Sequence, residues 1–283
     1  MSLNELLTRI ENLQNVDGVE TEIVGLSTFS RPIYAFHVGN KTGKQVLMEG
    51  GIHAREYLST LFLIEEIIFL AEQFKNGVFD GGFYIIPLVN PDGVGLVLDG
   101  FKSVNCPSQQ EILRIINNNS ENFSLWKASG TGVDLNVNFN AEWGKGVQNV
   151  FCPSSQNFVG FYPESEREVN ALINFARSIN FDISLSWHTK GEVIYYGFYT
   201  LTNAQIERDF NIATKMADVN GYKVVKTEGS VGGFSDWVSL NYGIPAFTIE
   251  LGNSALTHPL GEENLPIVFE QNKFVPIVAL NSV

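Results

Sequence analysis

The chain has 283 residues, of which 44% are hydrophobic and 17% charged; that much apolar surface excludes a disordered chain, and a domain of this size buries roughly 75% of its unfolded surface, so no disulfide is needed to hold the core. The net charge of −13 comes without any Lys/Arg cluster, which excludes a phosphate-tracking surface and argues against nucleic acid as a partner. No stretch reaches the roughly 18 apolar residues of a spanning helix, and the polar start MSLNELLTRIENLQ lacks the basic-then-apolar layout of a secretory leader, so a cytoplasmic protein with no membrane partner is expected.

Leu3, Leu6, Leu7, Ile10 and Leu13 recur at helical spacing. Val19 to Leu26, Ile33 to Val38, Gln45 to Ile52 and Phe83 to Val89 alternate or run apolar in the manner of strands. Between the last two, Glu56 to Phe74 has the length and composition of a helix, and the resulting βαβ unit predicts a partly parallel sheet. From Asn90 to Gly160 the sequence is loop-like, rich in Asn, Gly, Ser and Pro, with one helix expected around Glu111 to Asn117. Cys106 and Cys152, the only two cysteines, fit no disulfide framework and are read as free, partly buried thiols. A helix from Ser165 to Ile179, strands at Ile183 to Trp187 and Val193 to Phe198, a helix from Ala204 to Val219, and strands at Tyr222 to Val225 and Ala246 to Leu251 follow. A last helix, Ile267 to Leu280, is expected to bend or break at Pro276. With no repeat, low-complexity tract or linker, residues 1–283 read as one α/β domain with a mixed, mostly parallel central sheet and helices on both faces.

The strongest chemical signal is Gly50-Gly51-Ile52-His53-Ala54-Arg55-Glu56-Tyr57. An apolar strand ends in two glycines, which allow a tight turn, and then a His and a Glu three apart face one side of a first helical turn. An imidazole nitrogen and a carboxylate oxygen so placed suit zinc, whose catalytic sites take three protein ligands and keep a fourth position open. Of the four histidines, His188 ends the apolar run Ile183–Trp187, at the strand edge where α/β sheets bind ligands. His37, inside an alternating strand, and His258, before a proline in a loop, are read as structural or exposed. Glu250 stands near the end of the apolar run Ala246–Leu251; a carboxylate there is costly to bury without a task or a partner.

In this order, His53/Glu56, His188 and Glu250 resemble the pattern of the zinc carboxypeptidase family, and Gly132–Asn136 and Gly232–Trp237 resemble two further blocks of that family. The resemblance runs from Gly25 to the C-terminus. It is closest to the bacterial branch that cleaves γ-D-glutamyl-diaminopimelate bonds of cell-wall peptides, carried by Trp126–Ala128, Asn138–Gly144, His188–Gly191 and Asn264–Pro266. It implies one Zn²⁺ per chain held by His53, Glu56 and His188, Glu250 as the proton shuttle, Asp134 orienting the His53 ring, and Arg55 and Asn136 along the substrate cleft. It also implies a zinc metallopeptidase acting on a peptide, with a muropeptide as the expected substrate.

Three positions depart from the digestive carboxypeptidases. Val137 replaces the arginine that grips a terminal carboxylate, a bidentate contact that valine cannot make, and Lys190 is the candidate replacement cation. Lys127 falls near the place of the transition-state arginine and supplies a point charge instead of a fork. Glu228 occupies the approximate position of the mobile tyrosine and is a candidate contact for a substrate amine. Two alternatives stay open: an aspartoacylase-like amidohydrolase of small N-acyl amino acids, and an inactive peptide-binding module of the same fold. Oligomeric state is not legible.

Overall fold

The computed structural model describes residues 1–283. Its strands are β1 (Val19–Leu26), β2 (Pro32–Gly39), β3 (Gln45–Gly50), β4 (Gly82–Ile86), β5 (Ile183–Thr189), β6 (Val193–Tyr196), β7 (Lys223–Lys226) and β8 (Ala246–Leu251). They form one eight-stranded sheet in the order β1-β2-β4-β3-β5-β8-β6-β7. The central run β4-β3-β5-β8 is parallel throughout, and β6 pairs parallel with β7. The pairs β1–β2, β2–β4 and β8–β6 are antiparallel. Every residue of β3 and β5 is buried, as central parallel strands covered on both faces must be.

The helices are α1 (Leu3–Asn12), α2 (Leu58–Lys75), α3 (Pro91–Asp99), α4 (Pro107–Ile116), α5 (Arg167–Ser178), α6 (Asn203–Asn220), α7 (Phe234–Tyr242), α8 (Leu265–Asn272) and α9 (Val275–Leu280). Strand alternation sorts them into two layers. Val46 and Met48 of β3 join a large core with residues of α1, α2, α6, α8 and α9, while Leu47 faces a second core with α5 and α7. Helix α1 opens with a Ser2/Glu5 capping box and buries Leu3, Leu6 and Ile10. No helix is long and apolar enough to cross a membrane.

The α/β architecture and most elements follow the sequence reading, with strand ends shifted by a few residues. Helix α3 does not: it lies in the segment expected to be a loop. Asn90 caps it by accepting the Gly93 N–H at 2.9 Å, and Pro91 fills its first turn. Gly93 and Gly95 lower its propensity, but each is required by close packing, since a Cβ would collide with Ala128 O at the first and lie 2.8 Å from Leu3 Cδ2 at the second. Helix α7 is likewise absent from the sequence reading, having only nine residues between two glycine-bounded turns. The C-terminal helix breaks at residues 273–274, and Pro276 sits in the first turn of α9, where its missing N–H costs nothing. Cys106 and Cys152 are free, and both are exposed instead of partly buried.

Glu168 on α5 is a fully buried acid that accepts the Thr28 N–H at 2.8 Å. Burial pushes its carboxyl up to about 7; the Thr28 hydrogen bond opposes the shift, and the charges of Asp92 and Glu166 add to it. Unfolded glutamate titrates near about 4.3, so the folded state holds this proton more tightly. The stability it contributes is complete below about pH 4 and is lost as pH rises through about 7. Glu168→Gln keeps an acceptor for Thr28 and removes the ionisation. Its thermal midpoint should therefore fall less than the wild type's between about pH 5 and about pH 8; parallel midpoint curves for the two proteins would contradict this.

Candidate metal centre and active site

The site is assembled at the C-terminal edge of β3, β5 and β8, the edge where open α/β sheets bind ligands. Gly51 turns the chain out of β3 with φ +61, a conformation that strains any side chain. At Gly50 a Cβ would come within 2.8 Å of Leu63 Cδ1 on α2. His53 then caps a 3₁₀ turn, Ala54–Glu56, instead of entering the first turn of an α-helix. In that tighter helix residues three apart eclipse, so the His53 and Glu56 side chains meet. From the neighbouring strands, His188 and Glu250 are direct partners in the parallel β5–β8 ladder.

These elements bring three donor atoms into one triangle. His53 Nδ1 lies 3.1 Å from Glu56 Oε2, His188 Nδ1 lies 3.1 Å from the same oxygen, and the two Nδ1 atoms are 3.0 Å apart. All three residues are buried. The Thr189 N–H donates to Glu56 Oε2 at 3.2 Å and anchors the carboxylate. Bonds of about 2.0–2.1 Å in a tetrahedral zinc site separate neighbouring ligand atoms by about 3.3 Å, so the triangle matches three ligands of one such ion. The electrostatics agree. Glu56 is held well below the usual carboxylate range despite burial, chiefly by the two imidazoles. Burial lowers His188, but Glu56, Glu250 and Glu49 overcome it and raise the imidazole to about 9. Each group asks for positive charge at the same point, which a divalent cation supplies.

Around the triangle stands a set of orienting groups. Asp134 Oδ1 is 3.4 Å from His53 Nε2, which leaves the Nδ1 lone pair of His53 to face the other donors. Asp134 also accepts Lys127 Nζ at 2.8 Å, the Asn157 N–H at 3.0 Å and the Asn136 N–H at 3.2 Å. Its burial would raise its pKa, but the Lys127 and His53 charges hold it far below the usual range. Lys127 is therefore a fixed charge tied to Asp134. Asn136 Nδ2 lies 3.5 Å from His188 Nε2, and its Oδ1 accepts the Phe234 N–H at 3.0 Å, which stitches the 132–137 block to α7.

A cavity of about 350 Å³ opens beside the triangle. Glu250, Lys127, Asn136, Val137 and Glu228 border it together with His53 and His188. Glu250 Oε2 is buried with no protein partner; burial, and next the Glu56 charge, raise its pKa. No arginine lines the cavity. Arg55 and Lys190 are not in its wall: Arg55 Nη1 donates to Leu125 O at 3.2 Å and Gln156 Oε1 at 3.3 Å, and Lys190 Nζ donates to Ser254 O at 2.6 Å.

Several groups near the site were not singled out from the sequence. Glu49 is fully buried and neither of its oxygens has a hydrogen-bond partner, and burial raises its pKa against the pull of His188. The signal was present, since Glu49 interrupts an apolar strand as Glu250 does. Tyr195, Ser235 and Thr248 line the cavity from β6, α7 and β8, and isolated hydroxyl residues in sequence carry no such information. His37 is buried and hydrogen-bonded to Gln45 at 3.1 Å. His258, by contrast, feels the charges of Glu56 and His53.

The zinc carboxypeptidase family profile matches residues 7–274. Gamma-D-glutamyl-L-diamino acid endopeptidase 1 of Lysinibacillus sphaericus is 32% identical over 255 residues, covering 84% of this chain and 62% of that protein. Rat carboxypeptidase B is 27% identical, covering 84% of this chain and 59% of its own length; the chain thus spans about three-fifths of these relatives. Among solved structures, bovine thrombin-activatable fibrinolysis inhibitor superposes with a TM-score of 0.80 at 22% identity, covering 100% of this chain and 96% of that one. The murein-tripeptide amidase MpaA of Escherichia coli O157 gives 0.53 at 19%, covering 93% and 91%. With a family profile spanning nearly its whole length and the same fold in solved relatives, the chain belongs to the zinc carboxypeptidase family.

Proposed function

We propose that this chain is a zinc metallopeptidase that hydrolyses the amide bond between a γ-D-glutamyl residue and a diamino acid in cell-wall peptides. The observation that carries the hydrolase reading is the buried His53/Glu56/His188 donor triangle beside Glu250, an acid in the cavity wall with an unpartnered oxygen. The substrate reading is supported by the relative in Lysinibacillus sphaericus, whose name specifies that bond, and by the absence of any arginine in the cavity wall to grip a C-terminal carboxylate.

In this reading His53, Glu56 and His188 hold one zinc ion per chain. When bound, zinc supplies Lewis acidity that polarises a carbonyl and acidifies water. Glu250 Oε2 takes a proton from the attacking water and delivers it to the leaving amine; burial raises its pKa, which strengthens it as the acceptor of that proton. Lys127, fixed by Asp134, places a positive charge where negative charge grows on the carbonyl oxygen. Asp134 also holds the His53 ring in register. Asn136 and Glu228 border the substrate in the cavity.

Incubating γ-D-glutamyl-diaminopimelate peptides with the zinc-loaded protein and reading the products by mass spectrometry tests this directly. Release of diaminopimelate-containing fragments is expected. Intact peptides alongside hydrolysis of N-acyl amino acids would replace the peptidase reading with a deacylase.

A further inference from the structure

We propose that Lys226 and Glu228 form a site of two opposite charges in a second cavity beside the active-site cavity, and that it takes the amino-acid centre at the far end of a diaminopimelate side chain. Glu228 meets the ammonium of that centre and Lys226 its carboxylate. This rests on the function proposed above and names what separates a diaminopimelate leaving group from a lysine.

The second cavity has a volume of about 310 Å³. Phe198 and residues 227–230 border both cavities, so the two adjoin across that short segment, and Lys226 and Tyr199 border the second alone. The dividing segment is fixed on both sides. The Thr227 N–H donates to Tyr196 O at 2.9 Å, and the Val147 N–H donates to Gly229 O at 3.1 Å. It is low where it counts, because Gly229, at φ +73, has no side chain and Ser230 a short one.

The strand ladder gives the distance. Val193 of β6 stands opposite Glu250 of β8, and Tyr196, at the end of β6, stands opposite Lys226 of β7. Passing from Glu250 to Lys226 therefore crosses two strand spacings and descends from Val193 to Tyr196. At about 4.8 Å per strand and about 3.3 Å per residue, the two backbones are roughly 14 Å apart. An extended diaminopimelate side chain covers roughly 7–8 Å from the scissile nitrogen to its far carboxyl carbon, and the Glu250 and Lys226 side chains have the length to make up the difference.

The charges are placed for such a ligand. Lys127 is the only Lys or Arg in the wall of the first cavity, and it is committed to Asp134. A second carboxylate on the leaving group finds no free cation there, and Lys226 stands in the adjoining cavity. Lys226 and Glu228 are both exposed. They lie two apart in sequence and line one cavity, yet the ion pairs of the chain include neither of them. A group carrying both an ammonium and a carboxylate satisfies the two at once. A lysine side chain ends in an ammonium alone, so it satisfies Glu228 and brings a like charge towards Lys226.

The test uses two synthetic peptides with the zinc-loaded protein, γ-D-glutamyl-meso-diaminopimelate and γ-D-glutamyl-L-lysine. The first should be cleaved with a kcat/KM roughly 3–10-fold higher, the range for charge-assisted contacts that remain partly in water, and the ratio should shrink as salt rises. Lys226→Gln should bring the ratio towards one, and Lys226→Glu should turn it in favour of lysine. Glu228→Gln should slow both peptides, since both carry the distal ammonium. Equal cleavage of the two peptides by the wild type, or faster cleavage of the lysine peptide, would overturn the charge-pair site and leave the proposed function standing. A diaminopimelate preference that survives both Lys226 substitutions would overturn it as well. Cleavage of neither peptide would overturn the function and the site together.

Discussion

Glu250→Gln should keep its zinc and lose a factor of roughly 10²–10⁴ in turnover. The substitution preserves size and one acceptor oxygen but removes the carboxylate whose buried, unpartnered oxygen stands in the cavity wall beside the donor triangle. Glu250 is a direct ladder partner of His188, so its backbone helps place the imidazole, and glutamine keeps that contact. Its side chain is separate from the donor triangle of His53, Glu56 and His188, which is why metal content should be unchanged. Turnover and zinc content measured on the same preparation check this. A variant with full activity would remove Glu250 from the chemistry, and one that lost its metal would make it a ligand instead of a shuttle.

The second large effect is expected at His188. Alanine there removes one of three donors and leaves Glu56 beside a single imidazole in a buried site. Loss of an outer-shell partner alone costs about 10–100-fold in metal affinity, so loss of a ligand should cost at least about 10²-fold, with activity falling in step. Competition against a chelator of known affinity measures it. An unchanged zinc affinity would exclude His188 from the ligand set. The fold should tolerate the change poorly, because His188 is 1% exposed and a small side chain leaves a void there; His188→Asn, closer in volume, separates lost ligation from lost packing.

Much of the sheet was legible because burial on both faces forces long apolar runs. Ile183–Trp187 and Ala246–Leu251 could be little else, and the second matches β8 residue for residue. The His53/Glu56 pair could be read for the same reason: polar donors at fixed spacing after an apolar strand stand out. What stayed hidden was set by tertiary contact. Helix α3 carries two glycines that weaken it locally and fit only because Ala128 and Leu3 pack against them. The 3₁₀ turn at Ala54–Glu56 cannot be told from an α-helical start by spacing alone. Lys127 could be placed near the site from a resemblance, but its tether to Asp134 depends on how the irregular segment between them folds back on itself. His258 does lie in a loop, as read, but nothing in its neighbours says that this loop returns to the end of β5, where the Gly191 N–H donates to Gly252 O at 2.8 Å.

Zinc stoichiometry combined with X-ray absorption on the zinc-loaded protein tests the metal centre most directly. One ion per chain with two imidazole nitrogens and one carboxylate oxygen at about 2.0–2.2 Å is the predicted result. A protein that keeps no zinc after dialysis, or a zinc spectrum with one imidazole or none, would contradict a centre built from His53, Glu56 and His188.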